Sequence, residues 1–92
     1  MSIVIVGGNE CMTRQYKNLC QAYRCKAKVY PLRTVALKNL GRPDLLILFT
    51  STVSHTMVRC VLSNVKGQDT IIVRSHSSSL AALKNILEQH TP

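Results

Sequence analysis

Tryptophan is absent from this 92-residue chain, and its aromatic complement is three tyrosines and one phenylalanine. So few rings leave no platform on which the bases of a single strand could stack, and no helix-turn-helix pattern replaces it. Acidic residues are scarce too: Glu10, Asp44, Asp69 and Glu88 stand against twelve lysines and arginines, for a net charge of +8. No paired acid and base, no nucleophile with a positioned partner and no metal triad is visible, which disfavours an enzyme. Apolar runs are short and interrupted, so none is long enough to span a bilayer. No basic leader with an apolar run and cleavage site precedes Ser2 to Val6, and the expectation is a cytoplasmic protein. Cys11, Cys20, Cys25 and Cys60 are then expected as thiols rather than as a disulfide framework.

What is present suits a globular fold. Hydrophobic residues make up 46 % and charged residues 17 % of the chain, and its length fits one domain over residues 1–92. The charge is uneven. Residues 1–42 carry eight Lys or Arg against Glu10, whereas residues 43–92 carry four against Asp44, Asp69 and Glu88. A field of this sign attracts nucleic acid, anionic cofactors or an acidic partner, and it also serves simply as a solvated face.

Ser2 to Val6 is a β-branched run closed by Gly7-Gly8-Asn9, which predicts a buried strand ending in a tight turn. Met12, Tyr16, Leu19, Cys20 and Tyr23 then recur at helical spacing, with Arg14, Lys17, Gln21 and Arg24 on the opposite face. Lys26 to Tyr30 alternates charged and apolar residues before Pro31, as an edge strand does. Thr34 to Leu40 predicts one or two helical turns before Gly41 and Pro43. Asp44 to Thr50 is the most continuous apolar run and reads as a central strand covered on both faces. Val53, Met57, Val58, Val61, Leu62 and Val65 form a second helical face, Thr70 to Arg74 a fourth strand, and Leu80 to Leu87 a last helix. This alternation predicts an α/β fold: a small three-layer sandwich, Rossmann-like or flavodoxin-like, with four parallel strands ordered 2-1-3-4. The turns after strands 1, 3 and 4 should meet at the carboxyl edge, where the first and third strands diverge and ligands bind in such folds.

Two segments at that edge carry the candidate chemistry. Thr50-Ser51-Thr52-Val53-Ser54-His55 leads into a helix with Arg59 one turn beyond His55 and on the same side. An imidazole in the first turn of a helix feels the positive end of the dipole, which keeps a neutral nitrogen available as a ligand or hydrogen-bond partner. The alternative is a surface or capping histidine. Arg74-Ser75-His76-Ser77-Ser78-Ser79 places a cation, an imidazole and hydroxyls beside a helix start, which suits an anion, although serines there also act as plain caps.

Gly7-Gly8-Asn9-Glu10 lacks the G-x-G-x-x-G spacing, and the end of strand 2 offers no acid for a ribose, so a dinucleotide is disfavoured. Phosphorelay is disfavoured as well, because strand 3 ends in Thr50 where a receiver needs Asp. Cys11 follows strand 1, but a phosphatase-type loop expects arginine six residues later and Lys17 stands there. Cys20 and Cys25 have no matching second pair for zinc, and Cys20 is expected in the core.

Together, Ile3-Val4-Ile5-Val6-Gly7-Gly8, Pro43 to Leu48, Val53-Ser54-His55 and Arg74 to Ser79 resemble the bacterial domain-of-unknown-function family numbered 2325 over nearly the whole chain. The chain departs from it at Asn9, where many relatives carry a basic or imidazole side chain nearby. The resemblance implies a Rossmann-like bacterial cytoplasmic protein, and it implies haem binding, for which His55 is the matching metal ligand with Arg59 and His76 as neighbours. Imidazole is a standard axial ligand, Val53, Met57 and Val58 offer an apolar lining, and positive charge suits the propionates. Covalent attachment is excluded because C-x-x-C-H is missing. A chain this small is expected to enclose a porphyrin only between subunits of a homo-oligomer.

The expectation is therefore a non-enzymatic binding or sensing module. It would hold haem, or another metal-bearing or anionic ligand, among Gly8, Asn9, Ser51, Ser54, His55, Arg59, Arg74, His76 and Ser77. Two alternatives stay open. One is a phosphate or nucleotide site using Gly8, Ser51, Arg74 and Ser77. The other is nucleic-acid binding through Arg14, Lys17, Arg24, Lys26 and Lys28, which would show a steep salt dependence.

Overall fold

Runs of Val, Ile and Leu four or five residues long, each closed by a turn, become strands because branched side chains pack well on a pleated surface. In the computed structural model, which describes residues 1–30 and 42–91, these strands are β1 (Ser2–Val6), β2 (Lys26–Tyr30), β3 (Leu45–Phe49) and β4 (Ile71–Ser75). The helices are α1 (Thr13–Ala22), α2 (His55–Asn64) and α3 (Leu80–His90), with short 3-10 turns at Glu10–Met12 and Thr50–Thr52. All strand pairs are parallel and their order is β2-β1-β3-β4, the predicted one. The helical turns expected over Thr34 to Leu40 lie outside the described residues.

Strand periodicity divides the core into two layers. Ile3, Ile5, Leu45, Ile47 and Phe49 face Tyr16, Cys20, Cys25, Leu83, Ile86 and Leu87, so α1 and α3 cover this side. Val4, Val6, Leu46 and Leu48 face Val61 and Val65 on the α2 side. Every residue of β3 is buried, which is why its sequence shows no polar alternation. Burying one such side chain contributes about 1.5–3 kcal/mol before chain entropy is counted, so this strand is the largest single source of cohesion.

Helix boundaries follow local chemistry. Ser54 Oγ accepts the Met57 N–H at 3.2 Å and Ser79 Oγ accepts the Ala82 N–H at 3.1 Å, each satisfying a first-turn donor. Helix α1 stops where Arg24 turns into the left-handed region at φ 60°. There the Cys25 N–H reaches the Cys20 carbonyl at 3.0 Å and the Arg24 N–H reaches that of Gln21 at 2.9 Å. This is a Schellman end, and its usual apolar contact is made by two thiols. Burial, and secondarily the neighbouring Cys25, pushes the Cys20 thiol up to about 11.

Boundaries differ from expectation by one to three residues, the largest shift being the end of α3 at His90 rather than Leu87. β3 and β4 begin at Leu45 and Ile71, and α2 begins at His55 rather than near Val53. The last shift arises because Thr50–Thr52 forms a 3-10 turn and Val53 is extended at φ −120°, ψ 148°. No helix among the described residues is long and apolar enough to cross a membrane.

Candidate functional site at the carboxyl edge of the sheet

Parallel strands bring the turns after β1, β3 and β4 to one edge, and specific hydrogen bonds fasten them together. The Gly8 N–H donates to Thr52 Oγ1 at 2.7 Å, and the Thr52 hydroxyl donates to the Phe49 carbonyl at 2.9 Å. The β1 turn is thus tied to the β3 turn. Tyr16, fully buried against Phe49 with ring centroids 5.5 Å apart, places its hydroxyl between the β1 and β4 turns. It accepts the Asn9 N–H at 3.2 Å and donates to the Ser78 carbonyl at 2.7 Å. Thr50 Oγ1 donates to the Ser75 carbonyl at 3.4 Å, joining the β3 and β4 turns directly.

Neither Thr52 nor Tyr16 stood among the candidate residues. The signal available for Tyr16 was a phenol on an otherwise apolar helix face, since a buried hydroxyl needs a partner. For Thr52 there was none, because its partner is 44 residues away.

The same bonds sort the candidates into two groups. In the first, polar atoms are engaged within the fold. The Gly8 N–H is held by Thr52, and Asn9 Oδ1 accepts the Cys11 N–H at 2.9 Å. Ser54 caps α2. The Ser75 hydroxyl donates to the Ser77 carbonyl at 2.7 Å, and Ser77 Oγ lies 3.1 Å from Ser79 Oγ. A Cβ on Gly8 would come within 3.0 Å of Tyr16 and Phe49 atoms, so this glycine serves close packing. The turn after β1 is therefore not a cradle of free N–H groups of the kind a phosphate loop requires.

In the second group are Ser51, His55, Arg59, Arg74 and His76, all exposed. His55 is the first residue of α2, with Arg59 one turn along. Val53, Met57 and Val58 beside them are half-buried and pack on the α2-side core. Arg74 and His76 flank the end of β4 in the adjacent turn. What projects from the edge is a rim of imidazole, guanidinium and hydroxyl groups over a rigid, internally satisfied floor.

Among the described residues, no three His, Cys, Asp or Glu side chains gather as a metal cluster. Among the described residues, two concavities lie away from this edge and a third takes Arg59 into its lining. One of 320 Å³ sits at the opposite edge by Arg42, Asp44 and Asp69, one of 570 Å³ runs between α2 and β4, and one of 480 Å³ separates α1 from α3.

Arg14 and Lys17 on α1, and Arg24 just past its end, are exposed as expected. Lys26 and Lys28 pair with Ser2 and Val4, so they project to the α2 side while α1 covers the other. The cations thus straddle the β2 edge rather than form a single flat stripe. Cys11 is exposed but sits in the 3-10 turn before α1, outside the helix's own first turn.

Residues 2–90 match a family described as an uncharacterized protein conserved in bacteria (DUF2325). No curated protein and no solved structure matches the chain. Because the family match runs from the first residue of β1 to the last of α3, taking in the four strands and three helices of the described residues, the chain belongs to this bacterial family.

Proposed function

We propose that the protein is a non-catalytic binding or sensing module whose ligand lies over the carboxyl edge of the sheet and is held by His55. The observation supporting this reading is the division just described. Floor groups at the edge satisfy one another, while His55, Arg59, Arg74 and His76 project into solvent.

Haem is the ligand that best fits this donor set. His55 supplies one axial imidazole, Val53, Met57 and Val58 supply an apolar patch beside it, and Arg59 and Arg74 suit the two propionates. When bound, the iron would supply an open coordination position for a small gas or an electron-transfer centre. The residues of one copy cover one face of a porphyrin, so the ligand is shared between two chains.

An anaerobic absorption spectrum with added haemin tests this directly. A sharp Soret band saturating at one haem per two chains, abolished in His55→Ala, is the expected result. The spectrum of free haemin in both proteins would overturn it, and would leave an unmetallated anion at Arg59 and Arg74 as the ligand to seek.

A further inference from the structure

Helix α1 contains no acidic residue, and its exposed side chains are Arg14, Gln15, Lys17, Asn18, Gln21 and the small Ala22. Arg14 lies in the first turn, where the helix dipole favours an acid. Arg14, Lys17, Gln21 and, just past the helix end, Arg24 recur at intervals of three and four residues, so they form one row along the outward face. Beneath the helix, β2 turns Ala27 and Val29 toward it and the exposed Lys26 and Lys28 to the other side. The edge of the molecule built by α1 and β2 is therefore flanked by cations on both sides. The acids nearest to it are Glu10, before the helix, and Glu88, which accepts the Tyr23 hydroxyl at 3.1 Å. We infer that this edge is a second binding surface, separate from the carboxyl-edge site, and that its partner is a double-stranded nucleic acid held through its phosphates without regard to sequence.

The residue types decide among anionic partners. A helix lying on a bilayer buries an apolar face, and a protein interface is centred on large apolar or aromatic anchors. The outward face of α1 offers neither. Ile71 and Ile72, the exposed isoleucines, lie on β4 at the far edge of the sheet. The bases of a single strand stack on aromatic rings, but Tyr16 is buried and Tyr23 and Tyr30 are half-buried, packed against the core. What the edge does offer, guanidinium, ammonium and carboxamide donors, is the set that contacts phosphate and sugar oxygens. Cations on two flanks of a convex edge can also meet the two phosphate strands bordering a groove, whereas a flat anionic surface meets one flank.

Fluorescence anisotropy of a labelled duplex of about 20 base pairs, titrated with the haem-free full chain, tests this. Affinity on the order of micromolar is expected at about 50 mM salt, equal for unrelated duplex sequences. If Arg14, Lys17, Arg24, Lys26 and Lys28 each neutralise a phosphate, the logarithm of the binding constant falls against that of salt with a slope of about −4 to −5. Affinity then drops about 500-fold by about 200 mM salt. Lys17→Gln should make the slope shallower by about one. Lys66→Gln, the same change of charge in the groove between α2 and β4, should leave the slope as it is. Both lysines are exposed, so the two variants should keep the circular dichroism spectrum of the wild type. Because no haem is present, the outcome is independent of the carboxyl-edge ligand. Absence of duplex binding at the lower salt would overturn the proposal, and equal effects of Lys17→Gln and Lys66→Gln would do so by reducing the attraction to net charge. Tighter binding of a single strand of equal length, of polyglutamate or of phosphatidylserine vesicles would also overturn it, assigning the edge to another partner.

Discussion

Two glycines with the same backbone twist but different surroundings separate conformational strain from steric contact. Gly7 lies at φ +90° and Gly67 at φ +83°, a region that side chains rarely adopt. Around Gly67 nothing lies within 4 Å of an added Cβ. Gly67→Ala should therefore lose only the backbone term, about 1–2 kcal/mol. At Gly7 the same Cβ would stand 2.6 Å from Thr52 Oγ1, 2.7 Å from Val53 Cγ1 and 3.1 Å from the Phe49 carbonyl. Two of those atoms belong to the turn that holds the Gly8 N–H, so the clash is relieved only by moving the floor of the candidate site. Overpacking adds about 1–3 kcal/mol, which brings Gly7→Ala to about 2–5 kcal/mol. Urea unfolding followed by far-ultraviolet circular dichroism measures both, with the slope unchanged if the loss resides in the native state. Each kcal/mol should also lower the melting temperature by about 4–8 °C. Equal losses at the two positions, or a larger loss at Gly67, would refute the reasoning.

Other substitutions probe neighbouring links. Tyr16→Phe keeps the ring but removes the hydroxyl joining the β1 and β4 turns; a loss of about 1–2 kcal/mol is expected in the same denaturation assay. Arg24→Gly relieves a left-handed non-glycine residue at the end of α1 and should raise stability by about 0.5–1 kcal/mol, read as a higher urea midpoint. A thiol reagent at pH 8 should modify exposed Cys11 and Cys60 quickly and buried Cys20 and Cys25 only as the chain unfolds. The Cys20 thiol also predicts an alkaline effect. Its folded value, about 11, lies above the ordinary thiol value of 9.0, so the stability of the protonated native form is complete below pH 9 and is lost as pH rises toward 11. Unfolding titrations of the wild type should show this decline, and Cys20→Ala should show less of it.

The alternation of short apolar runs with helical faces sufficed for the four strands, the three described helices and their parallel order. Those features depend on local periodicity and on the handedness of crossovers, both of which are written along the chain. The unbroken apolar stretch at Leu45–Phe49 marked the centre of the sheet, because only a strand covered on both faces has no use for polar alternation. The carboxyl edge was legible for the same reason, since parallel topology alone sends the turns after β1, β3 and β4 to one side.

Which groups at that edge remain free was not legible. Gly8 and Thr52 are 44 residues apart and Tyr16 and Ser78 are 62 apart, and no local pattern predicts that such pairs will meet. Their meeting engages the Gly8 and Asn9 N–H groups, whereas Asn9 Oδ1, Ser54 and Ser77 are engaged by partners two or three residues away. His55, Arg59, Arg74 and His76 are left at the rim. The sequence by itself determined the order of elements, the two faces of the core and the location of the edge, because these follow from periods of two and 3.6 residues. Only the tertiary structure decided that the Gly8 N–H meets Thr52, that Tyr16 meets Ser78, and that Ile71 and Ile72 stay bare, because these depend on closure of the chain over long separations.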